Sequence, residues 1–278
     1  MQTFLLDQRS LRTPYYNLAL EEALALRLVA EGYGGGIRFW ESPRSVIIGL
    51  SEDPRVTVGK DLVESFLRFA STRGLPKKPN KDSNLYLARR ASGGGTVVHE
   101  PGWNLNFSMF ASIKERPELF PVGNSYKILL GIASQALSLQ GIESKSMGKS
   151  DLALEESDSS WKKISGNAQF RKKDCIVQHG TLILDSRLIR LVSDLLPHPP
   201  EEPEYRSGRE HKEFVTSLPK HFSEAKFKRD LTLLFADYLG VKNMGTRISR
   251  SFRKSVVLEA NKLFQEKYVS LEFITGER

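Results

Sequence analysis

Apolar residues recur at helical spacing over Asn17–Val29 (NLALEEALALRLV), with acids near the start that suit the positive end of a helix dipole. The same period predicts helices over Asp61–Thr72 and over Ser125–Leu139, the second ending near Gly141. Shorter runs predict strands at Thr3–Leu6, Ile37–Trp40 and Ser45–Leu50, the last two joined by the turn signal Ser42-Pro43-Arg44. Leu85–Arg89 leads through Ala91–Gly95 into a short run, Thr96–His99. Asn104–Phe110 (NLNFSMF) alternates polar and apolar as a half-buried strand does. Asp151–Leu154, Lys163–Ser165 and Ile176–Leu184 are further strands, the first two separated by a charged turn at Glu155–Ser160.

From about Arg187 the pattern becomes helical, with helices predicted over Arg187–Leu195, Ser223–Leu239 and Ser255–Tyr268. Strands first and helices last imply an α+β fold: a mixed, largely antiparallel sheet with helices packed on it. Residues 1–278 read as one domain, because the segment after Gly240 is too short to hold a core of its own. Pro197–Glu213 reads as a charged, proline-rich link, and Gly74–Ser83 (GLPKKPNKDS) as a loop.

Composition narrows the class of protein. A chain of 278 residues, 40% of them hydrophobic, can bury one large core. A formal charge of +8 favours acidic partners: nucleic acid, an anionic membrane, nucleotide phosphates or an acidic protein. The first residues (MQTFLLDQ) lack the basic and apolar regions of a signal peptide, and no run reaches the roughly 18 apolar residues of a spanning helix. The single cysteine, Cys175, excludes an internal disulfide and suits a reducing compartment. No cysteine pair exists for zinc, and the five histidines show no ligand spacing. These features predict a cytoplasmic protein with no membrane partner.

The chemistry concentrates in two segments. In Arg89-Arg90-Ala91-Ser92-Gly93-Gly94-Gly95-Thr96-Val97-Val98-His99, three glycines beside a strand let backbone amides approach phosphate oxygens, with Arg90 available as counter-charge. No Gly-Lys-Ser/Thr follows, so this is not a Walker loop, and the spacing is wrong for a Rossmann fingerprint. The plain alternative is a loop between strands. The second segment is Lys162-Lys163-Ile164-Ser165-Gly166-Asn167-Ala168-Gln169, followed by Gln178-His179-Gly180-Thr181-Leu182. Lys163 could hold its ammonium over an interior cleft while the chain bends at Gly166, or be a solvated lysine beside a bulge.

In this order and spacing, RRxSGGGTVxH, NLNFS, KISGNAQ and QHGTLIL resemble the lipoate–protein ligase A family, within the group that includes biotin protein ligases and octanoyltransferases. Weaker matches are NLALEEA (Asn17–Ala23), RFW with SVIIG (Arg38–Trp40, Ser45–Gly49), Ser150-Asp151-Leu152 and Glu266-Lys267-Tyr268; the resemblance covers roughly residues 1–275. It implies a biotin/lipoate ligase-like catalytic domain that uses ATP to activate lipoate or octanoate as an acyl-adenylate. The acyl group then passes to a lysine of a lipoyl acceptor domain, in an E2 subunit of a 2-oxoacid dehydrogenase or the H protein of glycine cleavage. Lys163 is implied as the catalytic side chain, with Arg90, Ser92, Gly93, Gly94, Gly95, Thr96, Val97, Val98, Gly166 and Gly180 around the adenylate and acyl tunnel. His99 and His179 flank the pocket or serve as structural histidines, and Asp151 contacts Mg²⁺ or the nucleotide.

The sequence departs from the family at several points: Ser150 where asparagine is usual, Glu100-Pro101-Gly102-Trp103 at a turn, an inserted-looking Lys77–Ser83, and Phe273 where tryptophan is common. It also resembles the short ligases that lack a C-terminal accessory domain, which raises a separate small accessory subunit as a partner. Two rivals remain. A cysteine-dependent octanoyl- or lipoyl-transferase would have to use Cys175, four residues before His179, in a register that fits neither transferase class. A nucleic-acid module would use the basic run Lys242–Lys254, which lacks interleaved aromatics apart from Phe252, so nucleic acid is not the expected partner.

Overall fold

Alternation along the central strands sorts their side chains onto two faces, and that sorting organises the molecule. The computed structural model describes residues 1–8, 12–75 and 85–277, so Lys77–Ser83 lies outside the described residues. A seven-stranded sheet is formed by β1 (Gln2–Gln8), β2 (Tyr33–Trp40), β6 (Asn104–Ser112), β7 (Ser144–Met147), β8 (Asp151–Glu155), β9 (Trp161–Lys172) and β10 (Cys175–Ile183), in the order β1-β2-β6-β10-β9-β8-β7. A three-stranded sheet pairs β3 (Ser45–Ile48) with β4 (Tyr86–Arg89) and β5 (Val97–His99). Only β1–β2 and β3–β4 are parallel, so the sheets are mixed and largely antiparallel.

One face of the large sheet carries Phe39, Phe107 and Leu182 against α4 (Val122–Ser138) and α7 (Glu224–Tyr238), whose Leu129, Phe227 and Leu231 complete that core. The other face carries Phe110, Phe170 and Val177 against α1 (Pro14–Leu28) and α8 (Arg250–Leu263). The small sheet stands over the same side, its Val46, Ile47 and Val98 packed on Tyr15, Leu18 and Ala19 of α1. Short helices fill the periphery: α2 (Pro54–Thr57), α3 (Lys60–Arg73), α5 (Arg187–Leu195), α6 (His211–Phe214) and α9 (Leu271–Thr275). No helix among the described residues is long and apolar enough to cross a membrane.

Helix α1 lies between the sheets. It starts where Pro14 presets the first turn and the Thr13 side chain accepts from the Tyr16 amide, earlier than the apolar period alone indicates. Glu21 and Glu22 therefore sit mid-helix and buried, at 2% and 3% exposure, rather than in the first turn. They have no role toward the dipole, and buried carboxylates must be paired. Glu22 receives Lys172 of β9 at 2.8 Å, Lys267 at 2.7 Å and the Tyr268 hydroxyl at 2.5 Å. A π-helical turn at Phe264–Tyr268 brings the last two round to the same carboxylate.

Other differences from the sequence pattern have local causes. Strand β9 runs on to Lys172, well past the predicted Ser165, because its polar residues face a cleft and a partner strand rather than bulk core. Strand β7 is a polar, half-exposed edge with no apolar period to announce it.

Glu22 joins α1, β9 and the C-terminal helical segment, so its loss strands two lysines together. Glu22→Ala is expected to lower the unfolding free energy by about 2–4 kcal/mol, discounted from a fully buried pair because both lysines reach solvent. Urea denaturation checks this. An unchanged midpoint would show that the three contacts contribute nothing net.

Candidate active site

Register places the cleft floor. Trp40 on β2 pairs with Asn106 on β6, Asn106 with Thr181 on β10, Thr181 with Gly166 on β9, and Gly166 with Asp151 on β8. These five residues form one row across five strands, roughly 19 Å long at about 4.8 Å per strand. The next row holds Arg38, Ser108, His179 and Ala168. Over these rows stand Leu18 of α1, Ile47 of β3 and the loop Gly94–Val97, forming a cleft that opens to solvent.

Lys163 reaches this floor because β9 is bulged. Asp151 pairs with Gly166 and Leu152 with Ser165, but Ala153 pairs with Lys163. The extra residue, Ile164, turns into the opposite core beside Leu152. Lys163 is thereby moved onto the face of Asp151 and Gly166. Its ammonium lies 2.8 Å from Asp151 Oδ1 and only 3.1 Å from where a Cβ on Gly166 would sit. The second Asp151 oxygen accepts from the Tyr205 hydroxyl at 2.9 Å. Burial and the neighbouring Asp151 push the Tyr205 phenol up, which keeps it a donor.

Arg90 points into the glycine loop. Its Nη2 donates to the carbonyls of Gly93 (2.6 Å) and Gly95 (2.8 Å), Nη1 to Ile47 (3.2 Å) and Nε to Ser92 Oγ (2.9 Å). Four of its five N–H groups are thus committed to holding the loop. Burial pushes Arg90 down to about 10, so it remains charged at neutral pH. Arg89 turns the other way and grips the carbonyls of Gly49, Leu50 and Glu52. Gly94 adopts φ +81°, and its carbonyl lies 1.8 Å from where a Cβ on Gly49 would fall, so the two backbones meet with no room for a side chain. Gly93 and Gly95 have no heavy atom within 4 Å of that position, which leaves that side of the loop open.

A buried polar chain ties this loop to α1 and the large sheet. Ser92 Oγ shares a 2.7 Å hydrogen bond with His179 Nε2, and His179 Nδ1 donates to Glu21 Oε2 at 2.7 Å. Glu21 also accepts from Ser108, which in turn accepts from Trp40 Nε1. Burial pushes the Glu21 carboxyl up, but His179, Arg38 and Ser108 together outweigh it and hold the group below its ordinary value. His99 donates from Nε2 to Thr181 at 3.2 Å, because the Thr181 hydroxyl is spent on Asn106.

Of the residues singled out in the sequence, Arg90, Gly94, Gly95, Thr96, Val97, His99, Asp151, Lys163, Gly166, His179 and Gly180 line the cleft. Ser92 lies beneath it as the link to His179, Gly93 carries an Arg90 contact, and Val98 is in the core of the small sheet. Leu18, Trp40, Ile47, Ser150, Asn167, Ala168 and Thr181 also line it; each lies within a segment quoted for the resemblance, though none was singled out for a role. Nothing in the sequence pointed to Tyr205. Cys175 shares a face with His179 but lies four residues along, fully buried among Phe4, Val177 and Phe252, and burial pushes its thiol up. The basic run near Lys242–Lys254 includes the start of α8, where Phe252 is core. No group of three or more His, Cys, Asp or Glu side chains gathers as a metal site among the described residues. Asp151 is a single carboxylate, a donor set that suits magnesium only when phosphate oxygens supply further ligands.

Residues 13–235 match the lipoyl protein ligase A/B catalytic domain. The chain is 31% identical over 190 residues to the lipoate-protein ligase LplJ of Bacillus subtilis, a match covering 68% of the chain and 48% of that protein. It therefore spans about half the length of that relative. The fold is similar to that of a bipartite lipoate protein ligase from Thermoplasma acidophilum (TM-score 0.73, 22% identity, 99% and 97% of the two chains covered). It is similar also to lipoate-protein ligase A solved with ATP (TM-score 0.71, 21% identity, 99% of both chains).

His99 gives the site a pH signature. Burial, then Arg90 and His179, push it down to about 3 from an ordinary 6.5, so it is neutral when folded and protonates only on unfolding. The unfolded chain then binds more protons below pH 6.5, and stability present in full above that value drains as pH falls toward 3. About 2 kcal/mol should be lost between pH 6.5 and 5 from this group. Denaturant titrations at pH 7 and 5 are expected to show that loss in the parent and most of it absent in His99→Gln. Equal slopes in the two proteins would refute the assignment.

Proposed function

The chain belongs to the lipoyl protein ligase A/B catalytic domain family, and from that premise we propose that it is a lipoate–protein ligase. It joins lipoate or octanoate to ATP as an acyl-adenylate and passes the acyl group to a lysine of a lipoyl acceptor domain. The observation that carries this reading is the bulge that holds the Lys163 ammonium over Gly166, in the same cleft as an open glycine loop.

In the first step a carboxylate oxygen bonds to the α-phosphorus of ATP and the bond to pyrophosphate breaks. Negative charge grows on the non-bridging phosphate oxygens, where the Lys163 ammonium and the amides of Gly93–Thr96 are the available donors. Arg90 serves the step from behind, by holding the carbonyls of Gly93 and Gly95 and with them the shape of the loop. The acyl chain lies along the row from Gly166 toward Trp40, over Thr181 and beneath Leu18 and Ile47. In the second step an acceptor lysine amine attacks the acyl carbon, AMP leaves, and an amide forms. Lys163 then faces the carbonyl oxygen as it gains charge. Magnesium bound with the nucleotide would neutralise phosphate charge; Asp151 is the carboxylate that lines the cleft, and it would touch the ion while keeping Lys163 and Tyr205 on its two oxygens.

The acceptors implied are E2 lipoyl domains or the glycine-cleavage H protein, and the archaeal neighbour solved with its E2 lipoyl domain supports that class. That neighbour is bipartite, which supports testing adenylation with and without a separate accessory subunit. Cys175, sealed in the core, speaks against a thioester route.

Pyrophosphate exchange with lipoate, followed by mass measurement of an acceptor domain, tests the proposal. Lys163→Ala is expected to lower acceptor modification by at least about 100-fold, with the melting temperature little changed, since Lys163 is partly exposed and outside the core. Near-parental modification by that variant would overturn the site. Cys175→Ala is expected to retain ATP-dependent modification; loss of activity together with an acyl thioester on the parent would move the function to acyl transfer through cysteine.

A further inference from the structure

Both oxygens of Asp151 are occupied, one by Lys163 and the other by Tyr205. Tyr205 belongs to neither sheet. It lies in a helical turn, Glu204–Arg206, in the segment between α5 and α6 whose sequence reads only as a charged link. Contacts away from the cleft fix its position. Its ring packs on Phe214, with centroids 5.0 Å apart. Arg209 Nη2 donates to the Tyr205 carbonyl at 2.7 Å and to the Trp161 carbonyl at 3.0 Å, tying the turn to the start of β9. Pro203 packs at Gly148, where a Cβ would come within 2.9 Å of it. The chain just past α6 reaches the backbone of the lysine, because the Thr216 amide donates to the Lys163 carbonyl at 2.8 Å.

We propose that Tyr205 is a positioning residue, which fixes the Asp151 carboxylate from its far oxygen so that the near oxygen sets where the Lys163 ammonium stands. The inference rests on the role assigned to Lys163 above. A lysine stem has many rotamers, and a carboxylate with one free oxygen can swing about its own torsions. With both oxygens bound, the carboxylate keeps one orientation and the ammonium one location over Gly166. Misplacement of a charge by about 1 Å is enough to cost one to two orders of magnitude in rate.

The test uses the full chain with supplied lipoyl-adenylate and an E2 lipoyl domain as acceptor. Tyr205→Phe keeps the ring against Phe214 and removes only the hydroxyl. Its kcat is expected to fall about 10-fold, with KM for the acceptor within about twofold and the melting temperature unchanged. Asp151→Asn is expected to lose at least as much, and the double variant no more than Asp151→Asn alone, since both changes cut one chain of contacts. A parental kcat in Tyr205→Phe, a matching fall in melting temperature, or additive losses in the double variant would each overturn the inference. Lys163→Ala in the same series separates the two ideas. If it stays active, the underlying reading fails; if it is inactive while Tyr205→Phe is parental, only the positioning role fails.

Discussion

A carboxylate buried between two sheets constrains everything around the cleft. Glu21 is almost without solvent, and it is held ionised by His179, Arg38 and Ser108 at once. Through His179 and Ser92 it reaches Arg90, and through Arg90 the carbonyls of Gly93 and Gly95. The helix between the sheets, the large sheet and the glycine loop are therefore one hydrogen-bonded unit. Each member is satisfied by the next, which is the condition under which a buried polar network rigidifies a fold rather than weakening it. The neighbouring Glu22 does the same for the C-terminal helical segment.

This framework divides the charged residues by task. Arg38, Arg89 and Arg90 are turned inward onto backbone carbonyls and buried side chains, so their charge is spent on shape. Lys163 alone among the motif cations extends its ammonium into the cleft, and there it meets Asp151 rather than a carbonyl. The bulge at Ile164 makes this so: one extra residue moves the lysine to the cleft face while sending an apolar neighbour into the core. Preorganised donors of this kind stabilise developing charge without reorganising at the moment of reaction.

The sequence disclosed the motif segments and the fold class because both rest on local pattern. The glycine triplet, the KISGNAQ lysine and the QHG histidine converge on one cleft, and the strand-then-helix order corresponds to an α+β architecture. What stayed hidden is non-local. The tasks of Glu21 and Glu22 could not be read from NLALEEA, because their partners lie 150 and more residues away at His179, Lys267 and Tyr268. Arg90 read as a counter-charge to a ligand until its carbonyl partners were visible. Tyr205 sits in a segment with neither period nor motif, and only the fold brings it to Asp151.

The proposed ligase activity requires that the acyl group be activated by joining its carboxylate to the α-phosphate of ATP. Supplying lipoate labelled with ¹⁸O in both carboxylate oxygens, together with ATP and an acceptor domain, tests it in one mass spectrum. One labelled oxygen should be found in the AMP released, in step with the acceptor lysine becoming acylated. Unlabelled AMP, or acceptor acylation that proceeds without ATP, would rule out an acyl-adenylate.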